Sequence, residues 1–278
     1  MDKIKTLGAL PPDPRELFEK SSTKTLECGI CPRFCGSNFC GALGRYGLVS
    51  SVAVDPIEKK PLYCFCPGRP VLSIGGFGCN LRCPFCQNHR IAMSDVQGGR
   101  IYSPKQIAAM ALEVPDNIGV AYTYNEPLIN YPFLLDCARE LRRVGLCNVL
   151  VTNGYINQEP LLALLPYIDA MNIDLKGFTE DFYAKLGGSL QPVLDTIRLS
   201  HAHCHIEVTT LVIPGENESH IEPISRFLAE ISPSIPYHIS RFFPRHLYTD
   251  KEATPPETIY RLCDLASQHL LNVFPGNL

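Results

Sequence analysis

Tryptophan is absent from this chain of 278 residues, and methionine occurs only four times. Long apolar stretches are absent too, since no run approaches the roughly 18 residues of a membrane-spanning helix. The chain also lacks a signal-peptide pattern. Neither sign of charge dominates, because the net charge is only -3, and this argues against a general nucleic-acid binder. The sequence therefore predicts a cytoplasmic protein without membrane or nucleic-acid partners.

Cysteine, by contrast, is abundant, with 13 residues. This number would indicate disulfides in a small secreted protein, but without a signal peptide it favours thiol and metal chemistry in a reducing compartment. Hydrophobic residues make up 45% of the chain and charged residues 19%. This composition predicts an enzyme with one main domain around a large core.

Three of the cysteines stand close together in the stretch GFGCNLRCPFCQN, namely Cys79, Cys83 and Cys86. Their Cys-x3-Cys-x2-Cys spacing places three thiolates on one tight loop, which suits three corners of an iron–sulfur cube, whereas a closed zinc site needs a fourth ligand. The open iron can bind S-adenosylmethionine (SAM), and one electron from the cluster then breaks the sulfonium bond to give a 5′-deoxyadenosyl radical. The alternatives are part of a zinc site or a chance run.

The chain divides into two predicted parts. Residues 1–70 are rich in Cys, Gly and Pro with little periodicity, which indicates a small module folded around metal. Residues 71–278 alternate between strand and helix patterns and predict an α/β fold, an incomplete (β/α)6 TIM-like barrel. The predicted strands are 71–76, 118–123, 148–152, 170–175, 206–213 and 237–242. The predicted helices are 104–113, 127–144, 159–165, 180–186, 190–201, 220–231 and 256–270.

Ligands of parallel α/β sheets collect at the carboxyl ends of the strands, and polar residues follow several predicted strands. Asn125 and Glu126 follow the second, where a carboxylate or amide can hold the amino group of SAM, unless they only cap a helix. Asn153 follows the third strand. Asp174 and Lys176 share a face at the end of the fourth and place a cation beside a ligand carboxylate, unless they form an internal ion pair.

The last two strands are less informative. Ile213 ends the fifth strand before a Pro-Gly turn, where the backbone can approach a flat ligand such as adenine. His238 and Arg241 in the sixth strand are either ligand-facing groups or ordinary strand residues.

The order GFGCNLRCPFCQN, TYNEP, VTNGY, NIDLKG, TTLVIPGENES, HISRFFP and NVFPGN resembles the radical-SAM superfamily. It is most similar to the relatives of pyruvate formate-lyase activating enzyme and, among them, to the branch called the AmmeMemoRadiSam system radical-SAM enzyme. The stretches ECGICPRFCG and DPIEKKPLY also resemble that branch. The similarity extends over nearly the whole chain.

This resemblance implies a role for each matching residue. Cys79, Cys83 and Cys86 would carry the [4Fe-4S] cluster that initiates catalysis, and the remaining matches would bind SAM. The implied SAM-binding residues are Phe85 and Gln87 beside the cluster, Asn125 and Glu126 at the amino group, Asp174 and Lys176 near the carboxylate, and Ile213 and His238 at the adenosine.

Four further cysteines, Cys28, Cys31, Cys35 and Cys40, lie within 13 residues in the N-terminal part. Four thiolates at this spacing can close a second metal site, either zinc or an auxiliary iron–sulfur cluster. Two more cysteines, Cys64 and Cys66, are extra ligands, redox thiols, a substrate-facing pair or bystanders.

The resulting prediction is a radical-SAM oxidoreductase that abstracts hydrogen from an unidentified substrate, with a reductant such as flavodoxin or ferredoxin. Arg139, Arg142 and Arg143 form a charge cluster where an acidic donor could dock. One alternative is an activase that installs a glycyl radical in a protein substrate, and a Memo-like partner would favour the AmmeMemoRadiSam branch. An alternative of another class is an iron–sulfur electron-transfer or metal-binding module that does not cleave SAM.

Overall fold

The computed structural model describes residues 28–33, 45–93 and 98–278. Its main feature is an eight-stranded sheet. The strands of this sheet are β2 (Ser51–Pro56), β3 (Pro70–Gly75), β5 (Gly119–Thr123), β6 (Cys147–Thr152), β7 (Ala170–Asp174), β8 (His205–Val212), β9 (Tyr237–Arg241) and β10 (Val273–Gly276). Their order across the sheet is β10-β9-β8-β7-β6-β5-β3-β2. A separate two-stranded ladder pairs β1 (Leu48–Val49) with β4 (Arg100–Ile101).

From β3 to β10 all neighbouring strands of the sheet are parallel, and β2 alone runs antiparallel at one edge. The connections contain the helices α1 (His89–Ala92), α2 (Pro104–Glu113), α3 (Tyr131–Arg143), α4 (Gln158–Leu164), α5 (Glu180–Lys185), α6 (Gln191–His201), α7 (Ile221–Ile231) and α8 (Pro256–Ala266). None of the helices in the described ranges has the length and apolarity to cross a membrane. The predicted incomplete α/β barrel is confirmed.

The helices follow local sequence signals. Ser103 caps α2, since its hydroxyl accepts a hydrogen bond from the Gln106 N–H while the Gln106 side chain bonds back to the Ser103 N–H. In α7 the buried residues recur at helical spacing, at Ile221, Ile224 and Leu228. Helix α7 thus presents one apolar side to the large core.

The six predicted strands agree with the observed ones to within one residue at each end. Two edge strands were not predicted. Pro275 and Gly276 make up half of β10, and Pro is tolerated there because an edge strand leaves one side of its backbone unpaired. β2 lies in the segment predicted to be a metal-bound module, yet it pairs with β3 along its whole length. The division of the chain at residue 70 stays a prediction.

Alternating strand residues divide the apolar interior into two parts. Leu72, Val120 and Leu150 point outward and belong to the large core under the helices. Val71, Ala121 and Val149 point inward and form a smaller core with residues such as Ile57 and Leu62, which come from the segment after β2. This inner core fills the barrel at the amino end of the parallel strands.

Residues 57–66, which we call the floor segment, close that end of the barrel. Glu207, fully buried on β8, holds the segment in place by accepting hydrogen bonds from the backbone N–H groups of Tyr63 at 3.0 Å and Cys64 at 2.7 Å. His205 Nε2 at 3.0 Å and His238 Nε2 at 2.6 Å are its other partners. Burial alone would raise the pKa of Glu207, but these donors together lower it to about 2.

The low pKa of Glu207 makes the floor segment sensitive to acid. We expect Glu207→Gln to lower the free energy of unfolding by about 2 to 3 kcal/mol at pH 7, because a buried charge-assisted network loses its charge. In the folded protein the pKa of Glu207 lies below its ordinary value of 4.5. The stabilisation by the Glu207 carboxylate is therefore present above pH 4.5 and is lost as the pH falls towards the pKa of the folded protein. Urea unfolding from pH 7 to pH 3 should therefore show the gap between wild type and variant closing, whereas exposed Glu113→Gln should match wild type throughout. A gap that stays constant with pH would contradict this account.

Candidate functional site

The three clustered cysteines lie on the loop that leaves β3 at its carboxyl end. Cys79, Cys83 and Cys86 all line one cleft of about 360 Å³ that opens into the barrel. Gly78 directly precedes them with φ +92°, and a Cβ there would come within 2.6 Å of Ile129. The tight entry into the cysteine loop therefore requires glycine.

Side chains from neighbouring loops fix the position of the cysteine loop. Asn80 donates to the Tyr155 carbonyl at 2.7 Å and accepts from Asn153 Nδ2 at 2.8 Å. Asn125 accepts from the Gly76 N–H at 2.8 Å and donates to the Gly78 carbonyl at 3.1 Å. The amides at the ends of β5 and β6 thus brace the loop from two sides.

The donor set suits an iron–sulfur cluster. Cys79 Sγ accepts from the Leu81 N–H at 3.4 Å and from Asn153 Nδ2 at 3.6 Å, and such N–H···S contacts stabilise ligand sulfur. Burial raises the pKa of Cys79 to about 12 and that of Cys83 to about 11, so both thiols stay protonated until iron replaces the protons. In the described part of the chain, no three His, Cys, Asp or Glu side chains lie close enough together to hold a single metal ion. An iron–sulfur cube does not require this, because it binds each thiolate at a separate corner.

Glu126 is the buried acid of the cleft. Its carboxylate accepts hydrogen bonds from the Leu128 N–H at 3.1 Å, the Thr152 hydroxyl at 2.8 Å and the Asn153 N–H at 2.8 Å. Burial nevertheless raises its pKa to about 7, against these lowering contacts. A carboxylate held this way can accept a further bond from an ammonium group in the cleft.

Asp174 and Lys176 form an ion pair at the end of β7, with Lys176 Nζ 2.9 Å from Asp174 Oδ2. Burial would lower the pKa of Lys176, but the charge of Asp174 and the hydrogen bond to its carboxylate raise it well above its usual range. The lysine is therefore a permanent cation beside the cysteine loop. It can pair with an anionic group that enters the cleft.

The predicted SAM-binding residues come together in large part. Those that line the cleft with the three cysteines are Phe85, Gln87, Asn125, Glu126, Asn153, Asp174 and Lys176. The lining does not include Ile213, which is buried and donates its backbone N–H to Asn217 Oδ1, or His238, which faces Glu207.

The N-terminal cysteines are described in part. Cys28 and Cys31 are buried in the large core, and Cys35 and Cys40 lie outside the described residues. Cys64 and Cys66 are exposed on the floor segment. The second metal site stays a prediction.

Lys59, Lys60, Tyr124, Thr209 and Ser240 also line the cleft, but no role was predicted for them. The two-residue period of a strand could have indicated that Thr209 and Ser240 face the cleft, because they share the inward face with Glu207 and His238. Lys59 and Lys60 follow a strand that was itself not predicted, so no periodicity pointed to them.

Comparison with known proteins shows the family to which this chain belongs. The family model described as the Radical SAM superfamily matches residues 73–228, which include the three cysteines, Glu126 and Lys176. The chain belongs to the radical SAM superfamily. Membership implies a [4Fe-4S] cluster and SAM, which agrees with the donor set described above.

Relatives of this radical SAM protein include an uncharacterized protein of Methanocaldococcus jannaschii, which is 39% identical in an alignment that covers 94% of this chain and 84% of that protein. The isethionate sulfite-lyase activating enzyme of Nitratidesulfovibrio vulgaris is 29% identical over 43% of this chain and 42% of that enzyme.

Solved structures share the fold at low identity. QueE from Escherichia coli superposes with a TM-score of 0.52 and 13% identity, over 84% of this chain and 97% of that one. Streptococcus suis SuiB bound to S-adenosylmethionine superposes with a TM-score of 0.58 and 15% identity, over 74% of this chain and 51% of that one. The predicted resemblance to the superfamily is confirmed, while the AmmeMemoRadiSam branch stays a prediction.

Packing around Tyr124 gives a test of the site's geometry. Tyr124 adopts φ +71° next to Gly75, where a Cβ would lie 2.7 Å from Ser51 Oγ and 2.9 Å from Tyr124 Cδ2. We expect Gly75→Ala to destabilise the fold by about 1 to 3 kcal/mol, because Tyr124 must move. Gly29→Ala is the matched control, since a Cβ there meets nothing within 4 Å. Thermal unfolding should separate the two variants, and equal melting temperatures would refute the close packing.

Proposed function

We propose that this radical SAM protein binds a [4Fe-4S] cluster through Cys79, Cys83 and Cys86 and reductively cleaves SAM. When bound, the cluster would supply one electron to the sulfonium of SAM, whose C–S bond would break to give methionine and a 5′-deoxyadenosyl radical that abstracts hydrogen from a substrate. The observation that carries the proposal is that three thiols, a buried acid and a half-buried lysine open onto one cleft.

The chain's own residues orient SAM in this proposal. Glu126 accepts a hydrogen bond from the SAM ammonium, and Lys176 pairs with the SAM carboxylate in partial exchange for Asp174. Asn153 holds both the cysteine loop and the Glu126 carboxylate, so it links the cluster ligands to the amino-acid end of SAM. Phe85 and Gln87 line the same wall.

A low-potential donor such as flavodoxin or ferredoxin would supply the electron. The arginines of α3 support its docking only weakly, because each is close to a carboxylate of the same chain. Arg139 lies 3.7 Å from Asp136, Arg142 lies 3.3 Å from Asp169 and Arg143 lies 2.7 Å from Glu140. These pairs leave little net positive charge for an acidic partner.

A second candidate function is activation of a glycyl-radical enzyme. The relative named isethionate sulfite-lyase activating enzyme supports it, although the match covers less than half of either protein. In that case the substrate is a protein segment. A Memo-like partner would favour the AmmeMemoRadiSam branch, and the spacing of Cys28, Cys31, Cys35 and Cys40 supports a separate zinc or auxiliary-cluster site in the N-terminal part.

The proposed reaction predicts that anaerobically reconstituted protein with dithionite converts SAM into 5′-deoxyadenosine and methionine. Cys83→Ala should lower this rate at least about a hundredfold, because the cluster loses one of its three thiolates. Cys64→Ala is the matched control, since its thiol is exposed and lies outside the cleft.

Iron content and the EPR spectrum of the reduced protein accompany the assay. A protein that carries a complete cluster, gives no 5′-deoxyadenosine and shows no change of its EPR signal with SAM would sink the proposal. The electron-transfer or metal-binding alternative would then remain.

The role of Lys176 predicts weaker SAM binding when its charge is removed. We expect Lys176→Met to raise the dissociation constant of SAM about tenfold or more, as for loss of a charge-assisted contact. Lys185→Met, an exposed lysine 3.8 Å from Glu216, should leave the constant unchanged. Equilibrium binding of radiolabelled SAM to cluster-loaded protein measures both, and equal affinities would contradict the assignment.

A further inference from the structure

A second group of charged residues lies at the floor of the cleft, and SAM cleavage does not use it. Asp55 at the end of β2 accepts hydrogen bonds from Lys59 Nζ at 2.7 Å, Lys60 Nζ at 2.7 Å and the Tyr124 hydroxyl at 2.6 Å. Burial would raise the pKa of Asp55, but these three donors hold it well below its usual range. The acid is therefore ionised whenever the protein is folded at neutral pH.

Lys60 is unusual because its side chain is only 1% exposed and yet lines the cleft. An ammonium has three N–H groups. One bonds to Asp55, and the charge also lies over the ring of Tyr124, 4.6 Å from its centre. Within the described residues its ammonium makes no other hydrogen bond, so N–H groups remain for a molecule in the cleft.

The charges of this group do not cancel. Asp55 contributes one negative charge, whereas Lys59 and Lys60 contribute two positive ones, and Lys59 is 60% exposed on its side chain. Lys59 is thus largely in water, whereas the Lys60 ammonium is enclosed by side chains of the cleft, where an ion interacts more strongly than in water. An anionic group at the floor would balance it.

Hydrogen bonds hold Tyr124, which contacts both Asp55 and Lys60, in a strained backbone conformation. Tyr124 has φ +71°, a left-handed conformation that is rare for an aromatic residue. Its carbonyl accepts a hydrogen bond from Asn88 Nδ2 at 2.7 Å, and its hydroxyl reaches Asp55. Strain of this kind persists where surrounding contacts enforce it, and it is common at ligand sites.

We propose that Lys60, positioned by Asp55 and Tyr124, binds a carboxylate or phosphate group of the molecule from which the radical abstracts hydrogen. This inference rests on the proposed function, because it needs a second molecule in the cleft besides SAM. The site lies at the amino end of the parallel strands, since Asp55 pairs with Val71, whereas the cysteines and Lys176 lie at the carboxyl ends. The substrate is thus an anionic molecule whose charged group reaches the barrel floor.

Isothermal titration of the anaerobically reconstituted full chain tests this site. The probes are succinate, phosphate and pyrophosphate at a fixed ionic strength set with potassium chloride. We expect at least one probe to bind wild type, and Lys60→Met to weaken it about tenfold or more. Lys60→Arg, which keeps the charge, should retain most of the affinity, and exposed Lys105→Met should equal wild type.

Titration with S-adenosylhomocysteine separates the two anions that the cleft can receive. Its affinity should be the same in wild type and Lys60→Met, because its carboxylate lies near Lys176. Loss of that affinity in Lys60→Met would show that Lys60 serves SAM, and the proposal would be overturned. Binding of no probe, or equal probe binding in both proteins, would also overturn it.

Melting temperatures of all variants are recorded first, and Lys60→Gln replaces Lys60→Met if the latter does not fold. The result of the probe-binding test can be distinguished from the result of the SAM-cleavage assay. Probe binding without SAM cleavage contradicts the radical chemistry and leaves Lys60 as an anion site only, whereas SAM cleavage without a Lys60-dependent probe site contradicts the anion site and leaves the proposed function standing.

Discussion

A single buried carboxylate holds this barrel closed at one end. Glu207 accepts hydrogen bonds from two backbone amides of the floor segment and from two histidines, and no water-exposed surface remains on its side chain. If those donors were withdrawn, an unpaired charge would sit inside the sheet at a cost of several kcal/mol. The floor segment must therefore stay in place, and with it stay Lys59, Lys60 and the inner core of Ile57 and Leu62.

The interior strands could be predicted from sequence because they are buried on both faces and are therefore continuous apolar or β-branched runs. The two edges could not. β10 contains Pro275 and ends at Gly276, and β2 has mostly half-exposed or exposed side chains within a cysteine-rich region. Partial exposure removes the hydrophobic signal that periodicity needs. What fixes both edges is pairing with a neighbour distant in sequence, which a local pattern does not contain.

The same distinction applies to the cleft. Local spacing was sufficient to predict that Cys79, Cys83 and Cys86 lie together, and position at a strand end was sufficient to predict that Glu126 and Lys176 face the same cleft. Depth along a strand was not predictable, because the 2-residue period gives the face of a residue but not its height in the barrel. His238 is on the inward face, yet its ring turns down to Glu207, and Ser240, two residues further on the same strand, lines the cleft instead.

The cysteine loop and the floor segment belong to different stretches of chain, and they approach the cleft from opposite ends of the strands. The loop depends on amides at the strand exits, while the floor segment is held by side chains that reach it from β7 and β8. Substitutions in the floor segment that keep its bonds to Asn172, Glu207 and Asp55 leave the bracing of the cysteine loop by Asn125 and Asn153 in place. In evolutionary terms, the two ends of the cleft are encoded by separate short stretches of the gene, so selection can act on one without rewriting the other.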